Sequence, residues 1–321
     1  MASLSPRWRS TLRIVLTVVV VAAVGVLFAR TLAENWTQVV DSGISFSWLW
    51  IVAIVVFSIA VPLSGILWGR IVAILAPTVT VGLRESMAVH CASWLLKYIP
   101  GQVGSIVNKV AWGSRKGISR TLIIITFLYE NVFLQVASLV PGIIIIVVAL
   151  GSDIVTNNGV TAVLLLVALI PLVGVLVPRV FHGVISFASR RILKQPVPHE
   201  YFLSIPNTLG LLVGFVGPRL LNGLGFVLLA ATIVPVPADQ WLFYGAVYVV
   251  AGAIGILAVF VPSGLGVREG VIFACLVAGG VSPAHAVIIS LLSRLLSTIA
   301  DAVVAAIYAG LRLSLSKGSP S

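Results

Sequence analysis

The chain has 321 residues, of which 60% are hydrophobic and only 9% charged, and its mean hydropathy is +1.16. An ordinary soluble domain, about a quarter charged, is excluded; the length leaves room for about seven to nine membrane-crossing elements of roughly 20 residues each and for no soluble catalytic domain. The net charge of +11 and the pI near 10.4 are therefore read as topology signals, not as nucleic-acid binding.

Arg7, Arg9 and Arg13 precede an apolar run from Ile14 to about Phe28 that lacks a small-residue cleavage site, which predicts an uncleaved first span. Further uncharged stretches lie at 42–69, 131–152, 154–178, 201–218, 220–238, 240–267 and 270–293, each near the length a helix needs to cross hydrocarbon. The joints Glu34–Ser45, Gly151–Asn158 and Pro235–Gln240 contain acidic residues and no Lys or Arg, whereas those at 7–13, 70–84, 109–120 and 179–194 hold 13 basic residues. The basic set is expected on the cytoplasmic side, with the N-terminus inside. Cys91 and Cys275 sit in apolar text without metal-ligand spacing and read as buried thiols.

This assignment holds only if Ser86–Asn108 enters and leaves on one side, as a re-entrant hairpin. Pro100-Gly101 supplies the break, because proline removes a backbone donor and glycine is free to take positive φ. An ordinary Pro-kinked span is the alternative. A similar string follows 162 positions later: Tyr98-Ile-Pro-Gly-Gln-Val-Gly104 parallels Phe260-Val-Pro-Ser-Gly-Leu-Gly266. Gly117-Ile-Ser119 parallels Gly280-Val-Ser282, and Leu128-Tyr-Glu130 parallels Leu292-Ser-Arg294. Interrupted helices at matching positions of two halves point to a transporter site near the bilayer midplane. The repeat halves are placed at about 46–150 and 206–312 of a single transmembrane domain covering 1–321. Between them, 179–205 reads as an amphipathic cytoplasmic segment, or else as a solvated linker. With two re-entrant breaks, the side of the C-terminus stays open, as does the choice between parallel and inverted repeats.

Ionisable residues inside spans are disfavoured by roughly 2.5–3.5 kcal/mol each and are functional candidates by default. Here they are Lys97, Glu130, Arg219, Arg268, Glu269, Arg294 and Asp301. Arg294, Thr298 and Asp301 share one helix face. After each break a helix is expected to start with unpartnered amides and a positive dipole end, where an anion fits. The first such site would use Pro100, Gly101 and Gly104 with Lys97 and Lys109; the second, Pro262, Ser263, Gly264 and Gly266 with Arg268. Such surroundings suit a phosphate attached to something apolar. Arg268–Glu269 and Arg294–Asp301 read equally as internal ion pairs. Glu269 is expected to be the structural partner of Arg268. Glu130 has no basic residue within nine positions and is expected to serve proton coupling. Gly210-x-x-x-Gly214 would let helices pack closely.

No Gly-x-Ser-x-Gly, His-Glu-x-x-His or Walker-type glycine loop occurs, so serine hydrolysis, zinc proteolysis and direct ATP use are unsupported and no cofactor is expected. His90, His182, His199 and His285 are isolated and read as structural or solvated, not as ligands.

Lys97-Tyr-Ile-Pro-Gly-Gln-Val-Gly104, Gly117-Ile-Ser-Arg120, Tyr129-Glu130, Pro262-Ser-Gly-Leu-Gly-Val-Arg-Glu269 and Ser293-Arg294-Leu-Leu resemble the flippase-like transmembrane domain of bacterial lysyl-phosphatidylglycerol synthases and its stand-alone relatives. The resemblance runs from about Leu12 to Arg312. Many members have an acidic residue where this chain has Ser105. The resemblance implies movement of an aminoacylated phospholipid or a polyprenol-linked glycolipid between leaflets, without the soluble synthase domain and so without lipid synthesis.

The expected protein is an all-α polytopic membrane protein with about seven or eight transmembrane helices and one or two re-entrant hairpins, in the plasma (inner) membrane. It is not expected to be an enzyme. Its expected role is a flippase or facilitator for an anionic phospholipid or a polyprenyl-phosphate-linked glycolipid. The alternative is a non-transporting scaffold subunit partnered with a glycosyltransferase.

Overall fold

The computed structural model describes residues 46–98, 103–151, 198–258, 261 and 264–317, with isolated positions 33, 183, 186 and 187. The expected first span, the run 154–178 and the amphipathic segment after Arg179 lie outside the described residues. What is described is helical, with no strand. The elements are α1 (Trp48–Leu75), α2 (Leu83–Leu95) with a 3-10 turn (Leu96–Tyr98), α3 (Val103–Arg115), α4 (Arg120–Leu150), α5 (Ile205–Ala230), α6 (Trp241–Leu257), α7 (Val267–Ala278) and α8 (Pro283–Lys317). Five segments are long and apolar enough to cross a membrane: Trp48–Leu75, Arg120–Leu150, Ile205–Ala230, Ala238–Leu257 and Pro283–Leu315.

Local chemistry sets these bounds. Ser47 caps α1 by accepting from the Leu49 amide at 3.3 Å, and Ser119 caps α4 by accepting from Leu122 at 3.2 Å. Gly151, with φ of 85°, ends α4. Pro62, Pro141 and Pro218 lie inside α1, α4 and α5, which packed neighbours in a bundle make tolerable. The runs 201–218 and 220–238, separate in the sequence reading, merge into the single helix α5, which passes through Arg219 without a break. A lone charge was a poor sign of a helix end here, because a buried cavity receives it.

Two apolar cores occupy opposite ends of the bundle. One joins the C-terminal half of α1 (Leu67 to Ala76) to Trp112 of α3, the first half of α4 and Leu211 and Phe215 of α5. The other joins Ala53 and Phe57 of α1 to the last turns of α5 and to α6, α7 and the first half of α8. The long helices α1 and α5 therefore run in opposite directions between the cores, and α4 and α8 likewise run in opposite directions. Helix α1 packs against α2, α4, α5 and α8. Its contact with α2 is close because Gly65 and Gly69 face His90 and Ser86, a small-residue seam the sequence reading missed. Of the pair it named, Gly214 abuts Leu67 whereas Gly210 faces open space.

The short helices form two hairpins. Helices α2 and α3 have 13 residues each, about 20 Å of rise against roughly 30 Å of hydrocarbon. They leave and rejoin the bundle at the first core and are tied together by Asn108, whose amide donates to Val89 O at 3.2 Å and Ser93 Oγ at 2.9 Å. Helices α6 and α7 start and finish at the second core, where Phe243 and Leu276 are both buried. Their turning region brings Gly264, with φ of 63°, against Gly255. Each half thus has the order long helix, hairpin, long helix, and the two halves run in opposite senses.

A Cβ on Gly264 would lie 2.6 Å from Gly255 Cα, besides sitting in the left-handed region. Gly264→Ala is expected to destabilise the protein by about 1–3 kcal/mol or more, read as a lower unfolding temperature in detergent. Gly210→Ala, at an exposed helical site with no atom within 4 Å, should be neutral or stabilising by up to about 1 kcal/mol.

Candidate functional site

Between the two cores, halfway along α1, α5 and α8, lies a cavity of about 190 Å³. Both hairpins reach it: Lys97, Ser105 and Lys109 from the first, and Ala258, Val261, Gly264 and Arg268 from the second. The long helices contribute Ser64, Glu130, Asn131, Arg219, Asn222 and Asp301, and α6 contributes Tyr248. Pro100 and Gly101, and likewise Pro262 and Ser263, lie outside the described residues. Gly104 is buried in the first turn of α3, while its neighbour Ser105 lines the cavity.

The charges are sorted by desolvation. Lys109 on α3 and Glu130 on α4, exposed by only 1% and 3%, form a salt bridge, and His90 Nδ1 on α2 lies 2.9 Å from the other Glu130 oxygen. Lys109 Nζ also lies over the Trp68 ring at 4.5 Å. Glu130 therefore is not the isolated carboxylate that chain spacing suggested. Its partners sit 21 and 40 positions away in the sequence, on the hairpin that packs against it, and it pins that hairpin to α4.

At the first hairpin's tip, Lys97 Nζ lies 2.8 and 2.7 Å from the two oxygens of Asp301 on α8. Trp94 Nε1 donates to the same carboxylate at 2.7 Å. Asp301 thus pairs with Lys97, not with Arg294 on its own helix face.

Glu269 does not serve Arg268 either. Its carboxylate accepts from the Gly266 amide at 2.7 Å, closing the start of α7, where Gly266 has φ of 82°. Its other oxygen faces Arg294 Nη1 at 3.6 Å. Adjacent residues on a helix point about 100° apart, so a partner for Arg268 one position away was not to be expected. The Gly266 amide is occupied by this cap, which removes one of the donors the sequence reading assigned to an anion. Glu269 and Arg294 hold α7 to α8 and do not line the cavity.

Two cations then remain. Arg219 on α5 and Arg268 on α7 both line the cavity, and neither has a carboxylate within salt-bridge distance among the described residues. Arg219 Nε and the Nε and Nη2 of Arg268 are buried and meet no acceptor among the described residues. The Arg268 guanidinium lies 4.4 Å from the centre of the Tyr248 ring, and both arginines interact electrostatically with Tyr248. Buried guanidinium N–H groups without acceptors are rare, and their fork geometry matches carboxylate or phosphate oxygens. The arrangement can bind an anion. Among the described residues no group of three or more His, Cys, Asp or Glu is placed to hold a metal.

His90, Trp94, Asn222 and Tyr248 were missed as site residues by the sequence reading. His90 had a signal, a lone imidazole in the apolar text of α2; Tyr248 had none, since aromatic residues at helical spacing usually mark core.

The sequence profile of the lysylphosphatidylglycerol synthase TM region matches residues 14–305. No curated protein matches the chain.

Glu130→Gln leaves Lys109 buried without a counter-charge and is expected to cost about 3–5 kcal/mol, read as loss of folded yield and of thermal stability in detergent. Replacing both, Lys109→Met with Glu130→Met, should cost less than the sum of the single changes. A Glu130→Gln protein as stable as the wild type would contradict the pinning role.

Proposed function

The chain belongs to the lysylphosphatidylglycerol synthase TM-region family, and on that premise we propose that it moves an anionic lipid between leaflets, as a flippase or facilitator without an enzymatic step of its own. The headgroup enters the cavity while the acyl or polyprenyl tails stay in the bilayer. The observation that carries this reading is the pair Arg219 and Arg268, of which Arg219 Nε and the Nε and Nη2 of Arg268 meet no acceptor among the described residues, in a cavity halfway between the two apolar ends. Charge at that depth is disfavoured unless compensated, and a lipid phosphate compensates it. In the absence of an ATP-binding motif, net movement follows the lipid's own gradient or an ion gradient.

We place both hairpins as re-entrant elements that enter from opposite faces and meet at the midplane. Helix α6 is then a hairpin arm, and α1, α4, α5 and α8 cross. The runs 14–29 and 154–178, which the sequence reads as two further crossings, lie outside the described residues. The end bearing Arg84, Arg115, Lys116, Arg120 and Arg312 faces the cytoplasm. Asp239 is the one charged residue at the other end among the described residues, in keeping with the positive-inside rule. Both termini are then cytoplasmic, in a plasma membrane. In a chain carrying Cys91→Ala and Cys275→Ala, a cysteine at Ser114 should be labelled only from the cytoplasm and one at Asp239 only from outside. Labelling of both from one side would refute the hairpins.

Movement itself is tested in liposomes with acyl-labelled fluorescent lipids and an impermeant quencher. The protein should speed the crossing of an anionic phospholipid, and Arg268→Gln should slow it by about tenfold or more, the scale of one lost charge-assisted contact. A scaffold for a glycosyltransferase would move no lipid even as the wild type.

A further inference from the structure

The charge inventory of the cavity carries more than a preference for anions. Of the four lysines and arginines on its wall among the described residues, Lys97 is matched by Asp301 and Lys109 by Glu130. Glu269, next to Arg268 in the chain, accepts from the Gly266 amide with one oxygen and faces Arg294 at 3.6 Å with the other. Arg219 and Arg268 are left as two guanidinium charges with no carboxylate between them among the described residues. Leaving buried charge uncompensated costs several kcal/mol per ion, so the fitting ligand brings about two negative charges.

We infer that the cavity is a site for a lipid-borne dianion, a phosphomonoester or a pyrophosphate, and not for a singly charged phosphodiester or an aminoacylated headgroup. The inference rests on the cavity being the headgroup's path. A phosphodiester supplies about one charge and leaves one arginine uncompensated, whereas a phosphomonoester supplies about 1.5 to 2. Each guanidinium can donate two parallel N–H bonds to tetrahedral phosphate oxygens. The neutral groups Tyr248, Asn222 and Ser105 also line the cavity and can orient the phosphate without changing its charge. An ammonium on the headgroup would meet these same arginines and be repelled. The volume of about 190 Å³ lies below the roughly 300–1,000 Å³ of sites that enclose drug-sized ligands. The space therefore suits the phosphate alone, and any sugar or second substituent stays outside.

The test compares two lipids with the same dioleoyl tails, phosphatidic acid and phosphatidylglycerol, for binding to the full chain in phosphatidylcholine nanodiscs at pH 8. Phosphatidic acid should bind at least about tenfold more tightly. Arg219→Gln and Arg268→Gln should each bring the ratio towards one, and the Arg→Lys variants should retain part of it, which separates charge from folding. Equal binding of the two lipids by the wild-type protein, or an undiminished ratio in the Arg219→Gln, Arg268→Gln double variant, overturns the inference. Inorganic pyrophosphate should bind more weakly than phosphatidic acid; binding as tight would make the ligand a free anion and overturn the lipid assignment. Phosphatidylglycerol crossing liposomes as fast as phosphatidic acid leaves the transport reading standing and sinks the dianion. A strong preference with no movement does the reverse.

Discussion

Charge buried at the middle of an apolar bundle must be neutralised, and that constraint organises this structure. Lys109 and Glu130 are both almost wholly enclosed, at a depth where either alone would cost several kcal/mol. Their pairing fixes the return arm of the first hairpin to α4. The second hairpin repeats the device with the signs exchanged: Glu269 on its return arm α7 faces Arg294 on α8. A third pair, Lys97 with Asp301, ties the tip of the first hairpin to the last long helix. The short helices are held against the long ones by these pairs and by glycine seams such as Gly264 on Gly255.

Once the pairs are made, the cavity's character follows by subtraction. Among the described residues the carboxylates of Glu130, Asp301 and Glu269 each face a lysine or arginine, and the two arginines left over, Arg219 and Arg268, line the cavity. The halves α1–α4 and α5–α8 have the same element order and opposite directions, an arrangement that in carriers places the substrate between interrupted helices at the midplane and lets one half move against the other. We read the ion pairs as the rigid part of each half. The crossing pair Lys97–Asp301, which joins the halves, is the contact that such a movement would have to alter.

Much of the architecture was legible in the sequence. Apolar run lengths gave the helical class, and the two Pro-containing strings fell where α2 gives way to α3 and α6 to α7. The 162-residue offset suggested two halves and left their direction open, since charge bias along the chain does not report which long helices are antiparallel in space. The candidate cations and carboxylates were identified, but their partners were not. Spacing along a helix reveals neighbours three or four positions away, whereas Glu130 meets Lys109 across a hairpin and Asp301 meets Lys97 some 200 positions away. That is why Glu130 looked solitary and Arg268 looked paired, and the packed structure reverses both. Arg219 was read as punctuation between runs for the same reason: only a cavity, invisible in one dimension, explains a charge in mid-helix.

The central claim is that a lipid headgroup resides between the hairpin tips while its tails remain outside the bundle. Photo-crosslinking tests it most directly, with a phosphatidic acid that carries a diazirine beside the phosphate, reconstituted with the full chain in nanodiscs and mapped by peptide mass spectrometry. The account predicts adducts concentrated on the cavity wall, at Ser105, Asn222, Tyr248, Val261, Gly264 and Arg268. Adducts confined to outward-facing positions such as Val148, Val213 and Leu295, which are exposed on the bundle surface, would contradict it.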